Sequence, residues 1–124
     1  VSKLAQLIAD EEGILVPGSV PARDNNPGDL RHSPHSFHTP SDPNGIGQIP
    51  TRAEGWEDLE RQLVLFAERK LTLKQAIFEF APRSENNTRA YLKYVCRGLG
   101  VPFGTSVAHA LKIPNDPTLP LEVL

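Results

Sequence analysis

Three consecutive acids, Asp10-Glu11-Glu12, close a helix-patterned segment at Gly13. An amide- and charge-rich stretch follows, Arg23-Asp24-Asn25-Asn26-Pro27-Gly28-Asp29-Leu30-Arg31. This pairing could perform general-acid cleavage of a glycosidic bond: a carboxylic acid that keeps its proton, facing groups able to hydrogen-bond a sugar. Glu12 is the candidate acid. A helix C-terminus carries partial negative charge, which disfavours a second negative charge there. Packing of Ile14-Leu15-Val16 beside it would add desolvation, and both effects raise a carboxyl pKa. Glu11 is the alternative, but adjacent residues lie about 100° apart around a helix and cannot share an orientation.

Hydrolysis also asks for a second carboxylate. Asp24 is the candidate, within the loop that follows the acid, with Asp29 and Asp42 behind it. The competing role for Asp24 is a turn residue capping its own backbone. Asn25 and Asn26 are candidate contacts for saccharide hydroxyl or N-acetyl groups, or turn formers before Pro27-Gly28. Arg31 is a candidate for a peptide-stem carboxylate or an internal one, and Gln48 offers its amide. Glu85, Asn86 and Asn87 precede a helix, where capping competes with sugar contact. Tyr91 could support the acid or stack a sugar. Trp56 lies on an apolar helical face and reads as core. His32, His35 and His38 recur every third residue, but Pro34 breaks any helix between them, so no metal site is assigned. Cys96, the single cysteine, excludes an internal disulfide and a cysteine-cluster metal site and reads as a buried thiol.

Positioning these groups falls to five expected helices. Ser2 caps the first, with Leu4, Ala5, Leu7 and Ile8 as its apolar stripe and Gly13 as the stop. Thr51 opens the strongest, with Glu54 as a capping-box partner and Trp56, Leu59, Leu63 and Phe66 at helical spacing, ending near Lys70. Thr72 opens a third that stops before Pro82. Asn87 or Thr88 caps a fourth carrying Tyr91, Leu92, Val95 and Cys96 to Gly98 or Gly100. Thr105 or Ser106 starts a short fifth around Val107, Ala108 and Leu111. Residues 14–50 hold most of the prolines, so loops with a small β-hairpin are expected there and helix is not. A proline-bearing, extended tail is expected over residues 114–124.

The chain has 124 residues, 39% apolar and 23% charged, which suits one soluble domain over residues 1–124. A net charge of −2 gives no surplus to drive binding to nucleic acid or anionic lipid. No apolar run reaches membrane-spanning length and no signal peptide is visible, so membrane insertion is not expected and the compartment stays undetermined.

Taken in order, Glu12-Gly13, Asn25-Asn26-Pro27-Gly28-Asp29-Leu30-Arg31, Gly45-Ile46-Gly47-Gln48-Ile49, Glu54-Gly55-Trp56, Ala81-Pro82 and Glu85-Asn86-Asn87-Thr88 before Tyr91 resemble a phage and prophage family of the lysozyme-like superfamily. The resemblance covers residues 4–100. It implies a mainly helical lysozyme-like fold with a small β-structure between the first and second long helices, and it implies that Glu12 is the catalytic acid. The implied activity is cleavage of the β-1,4 bond between N-acetylmuramic acid and N-acetylglucosamine in peptidoglycan, without cofactor, by a monomer acting on the periplasmic wall. The acid, aspartate and threonine spacing of phage lysozymes is not matched. Two outcomes therefore stay open: hydrolysis, and lytic transglycosylation, in which the sugar's own C6 hydroxyl attacks and one carboxylate suffices. A non-catalytic wall-binding module of a phage or prophage particle and a chitin-type glycosidase are the alternative functions.

Overall fold

The computed structural model describes residues 1–82 and 87–115. They form helices α1 (Lys3–Glu12), α2 (Val20–Arg23), α3 (Arg52–Glu68), α4 (Leu73–Phe80), α5 (Thr88–Leu99) and α6 (Val107–Leu111). The protein is mainly helical, and all five expected helices are present. Short polar side chains start them. Ser2 accepts from the Ala5 amide, Thr51 from Glu54, Asn87 from Ala90 and Ser106 from His109, each relieving an amide that the first turn leaves unpaired. The reciprocal capping box forms at Thr72 and Gln75. At Thr51 the Glu54 carboxylate instead takes the threonine hydroxyl at 2.8 Å.

The first helix was expected to bury one stripe, but it is buried on nearly every side. Leu4 to Ala9 are all buried, Gln6 among them at 0% exposed, and α1 touches α3, α5 and α6. A helix enclosed this way is the core of its fold. Around it pack Trp56, Leu59, Leu63 and Phe66 of α3, Ile77 of α4, and Tyr91, Leu92, Val95 and Cys96 of α5. Burial pushes the Cys96 thiol pKa up.

Two expectations for residues 14–50 need correction. Helix does occur there: α2 is a single turn whose Ser19 cap accepts from Ala22, with Pro21 in the first turn where its missing N–H costs nothing. The β-hairpin is reduced to one antiparallel bridge, in which Phe37 and Gln48 exchange backbone hydrogen bonds at 2.8 and 3.0 Å. Pro40 and Pro43 have no amide to extend that ladder. The segment is nonetheless fastened. Ser33 Oγ and the His35 amide donate to Asp58 Oδ2 of α3 at 2.6 and 3.0 Å, and His35 Nδ1 lies 2.6 Å from Asp58 Oδ1. The expected tail from Pro114 lies mostly outside the described residues.

Candidate active site

Glu12 is the last residue of α1. Gly13 follows with φ 99°, its amide donating to the Ala9 and Asp10 carbonyls. That left-handed turn suits glycine, and it ends the helix where the acid stands. The half-buried Glu12 lines a cleft of about 410 Å³ together with Gly28, Asp29, Leu30, Arg31, Ile46, Glu79, Phe80 and Pro82. Glu11 is exposed and does not line it.

Burial pushes the Glu12 carboxyl up to about 7, with the negative charges of Asp29 and Glu11 adding to the rise and the Tyr91 hydroxyl opposing it. The source of that burial differs from expectation. Ile14 goes into the core, but Leu15 and Val16 are 39% and 56% exposed. The apolar lining of the cleft that Glu12 shares is Leu30, Ile46 and Phe80, contributed by the loop and by the end of α4. Tyr91 stands behind the acid, 2% exposed. Its hydroxyl is near enough to favour the carboxylate but makes no hydrogen bond of full geometry, so we count the pair as a polar contact. Burial first, then the adjacent Glu12, raises the Tyr91 pKa well above the usual phenol range.

Asn25 and Asn26 hold the cleft wall in place without lining the cleft. Asn26 is 0% exposed. Its Nδ2 donates to the Leu30 and Gly47 carbonyls at 2.8 and 2.9 Å, and its Oδ1 accepts from the Leu30 amide at 3.0 Å. Asn25 adopts φ 53° and donates to the Ile49 and Pro50 carbonyls. It passes so close to α3 that a Cβ on Gly55 would collide with its carbonyl oxygen, which is why Gly55 can sit inside a long helix despite its cost there. Both asparagines proposed as sugar contacts are therefore braces.

Asp24, proposed as the second carboxylate, does not line the cleft. It is 8% exposed, caps α2, and its carboxylate accepts from Arg23 Nε at 3.2 Å. Asp29, weighed behind it, is the loop carboxylate that reaches the cleft beside Glu12. Asp29 adopts a left-handed conformation (φ 52°), which aspartate tolerates, and the chain turns there. Arg31 lines the cleft and donates to the Asn44 carbonyl at 3.0 Å. Gln48 is half-buried outside the cleft lining, and its neighbour Ile46 takes that place. Asn87 caps α5, whereas Glu85 and Asn86 lie outside the described residues. Glu79 was not singled out from sequence and Phe80 reads there only as an apolar anchor of its helix, because nothing in a helix's last turn distinguishes a cleft edge from solvent.

The three histidines go to separate partners. His35 pairs with Asp58, with Glu54 at 3.5 Å from its other nitrogen. His38 Nε2 reaches the Arg31 and Gly45 carbonyls, and its ring packs against His32 at 4.8 Å. Among the described residues no group of three or more His, Cys, Asp or Glu side chains is arranged to hold a metal, and no helix is long and apolar enough to cross a membrane.

No family model, no curated protein and no solved structure matches the chain.

Proposed function

We propose that this protein is a lysozyme-like glycosidase that cleaves the β-1,4 bond between N-acetylmuramic acid and N-acetylglucosamine in peptidoglycan, with Glu12 as general acid. One observation carries the reading: a half-buried carboxyl lines an open cleft and has its pKa pushed up to about 7. At that value the acid holds its proton near neutrality yet gives it up readily, the balance that general-acid catalysis needs.

In the proposed reaction a glycan strand lies along the cleft with its glycosidic oxygen at Glu12. The proton moves from the carboxyl to that oxygen as the C1–O bond breaks and positive charge develops on the sugar ring. The Glu12 carboxylate left behind is favoured by the Tyr91 hydroxyl. Asp29, on the same cleft, supplies negative charge to the cationic ring. Glu12 then takes a proton from the attacking group, either water or the sugar's own C6 hydroxyl.

Clearing of a suspension of purified sacculi tests this. Wild-type protein should lower the turbidity, and Glu12→Gln should reduce the rate by about 100-fold or more, the usual scale for a lost general acid. Mass spectrometry of the released muropeptides then reads the outcome, 1,6-anhydro ends for transglycosylation and reducing ends for hydrolysis. Wild-type protein that sediments with sacculi and releases nothing soluble would replace this reading with a wall-binding role.

A further inference from the structure

Charge is segregated along the chain. Residues 87–115 hold Arg89, Lys93, Arg97 and Lys112 and no aspartate or glutamate, within a chain of net charge −2. Three of these cations are four residues apart on α5, and all three are exposed. Four residues advance a helix by about 6 Å and return to nearly the same face. Arg89, Lys93 and Arg97 therefore form a straight ridge of about 12 Å, on the side of α5 opposite the buried Tyr91, Leu92, Val95 and Leu99. None of the three pairs with a carboxylate among the described residues. Asp10 of the adjoining α1 is engaged by the Tyr94 hydroxyl.

Shallow grooves of about 440 and 540 Å³ flank the Lys93–Arg97 part of the ridge, and both residues border each. Leu7 and Tyr94 form the far wall of one, Val101 and Phe103 that of the other. A narrow crest of cations between apolar-walled grooves suits an extended chain that carries charge on its own backbone. It suits a flat membrane less well: three charges at about 1 kcal/mol each fall short of the four to eight that anchor a protein to anionic lipid, and the apolar groups line hollows instead of protruding.

We propose that the outer face of α5 binds a linear phosphodiester polymer of the cell wall, of the glycerol-phosphate type, with one phosphate on each of Arg89, Lys93 and Arg97. The choice of a wall polymer over other phosphodiesters rests on the function proposed above; the polyanion site does not. Because the ridge lies across α5 from Tyr91, it would hold the enzyme on the wall without occupying the cleft.

Fluorescence anisotropy with labelled poly(glycerol phosphate) and the full chain tests this with no turnover required. Three phosphate contacts predict binding that weakens about 20-fold between 50 and 200 mM salt. The Arg89→Ala/Lys93→Ala/Arg97→Ala variant should bind at least 10-fold more weakly and lose that salt dependence. Arg89→Lys/Arg97→Lys, which keeps the charges, should bind nearly as wild type and guards against misfolding of the triple variant. Turbidity clearing of polymer-free sacculi should be the same for all three proteins. Equal binding by wild type and the triple variant, or salt-independent binding, overturns the proposal. So does tighter binding to single-stranded DNA or to anionic phosphatidylglycerol vesicles than to the polymer. Loss of wall cleavage with polymer binding intact would overturn the enzymatic reading alone.

Discussion

Tyr91 of α5 presents its hydroxyl, sealed in the core, to the Glu12 carboxyl that ends α1. The relationship fixes the sign of one substitution. The hydroxyl favours the charged carboxylate, against burial and against Asp29 and Glu11. Tyr91→Phe should therefore raise the Glu12 pKa above about 7 and carry the alkaline limb of the pH–activity curve upward. Stability should change by only about 1 kcal/mol, because no hydrogen bond of full geometry is lost. A pH–rate profile of sacculus clearing, with thermal melts as the control, checks both; an alkaline limb that moves downward would contradict the assigned role of the hydroxyl.

Asp29 acts in the opposite direction. Its charge helps to hold the proton on Glu12, so Asp29→Asn should lower the Glu12 pKa and shift the alkaline limb of activity to lower pH. Asparagine suits this test because it accepts the left-handed backbone that Asp29 adopts at φ 52°. Asp29→Ala would add a backbone cost and should melt lower than Asp29→Asn. A carbonyl-labelled glutamate followed by NMR titration would read the Glu12 shift directly, independent of turnover.

Glu12 also couples stability to pH. Its folded pKa is raised from 4.5 to about 7, so the folded state binds more protons than the unfolded chain across that interval, and stability falls as pH rises through it. Below about 4.5 the acid is protonated in both states and imposes no charge burial. Above about 7 the full cost is present, at most roughly 3 kcal/mol. Glu12→Gln should therefore match wild type near pH 4 and melt higher at pH 8. Denaturant midpoints at the two pH values check this. A variant less stable than wild type at pH 8 would mean that the carboxylate is better satisfied than its burial suggests.

The helices were legible because each starts on a short polar cap and ends on a glycine, a proline or a left-handed turn: Ser2 to Gly13, Asn87 to Gly100, and Thr72 to the residue before Pro82. The place of Glu12 at the end of α1 was legible for the same reason, since it precedes the stop. The partners of the loop were not. Asn25 and Asn26 carry the same amide whether it faces a sugar or a carbonyl, and only the return of Gly47 and Ile49 past them settles which. Asp24 and Asp29 differ by five positions in one irregular stretch, and the unforeseen turn α2 aims the first at Arg23 while the left-handed step at Asp29 aims the second at the cleft. Long-range pairings of this kind leave no periodic trace. The burial of Gln6 is a similar case: a polar residue on α1 reads as the solvent side until helices close around it.

Asn26 should then be the most costly of the loop residues to lose. It ties Leu30 and Gly47 together through three hydrogen bonds and is completely buried. Asn26→Ala would strand the Leu30 amide and the Gly47 carbonyl, at about 2–4 kcal/mol, while the Leu30 carbonyl keeps the Gly47 amide at 2.9 Å. Asn26→Asp keeps the acceptor for the Leu30 amide but sets a carboxylate against both carbonyls, so it should fare no better. Asn25→Gly should cost far less, because glycine adopts the positive φ freely and the lost amide contacts are partly exposed. Urea midpoints for the three variants give the order. If Asn26→Ala unfolds at the wild-type midpoint yet fails to clear sacculi, the amide serves the substrate instead of the fold, and the bracing role assigned to it is wrong.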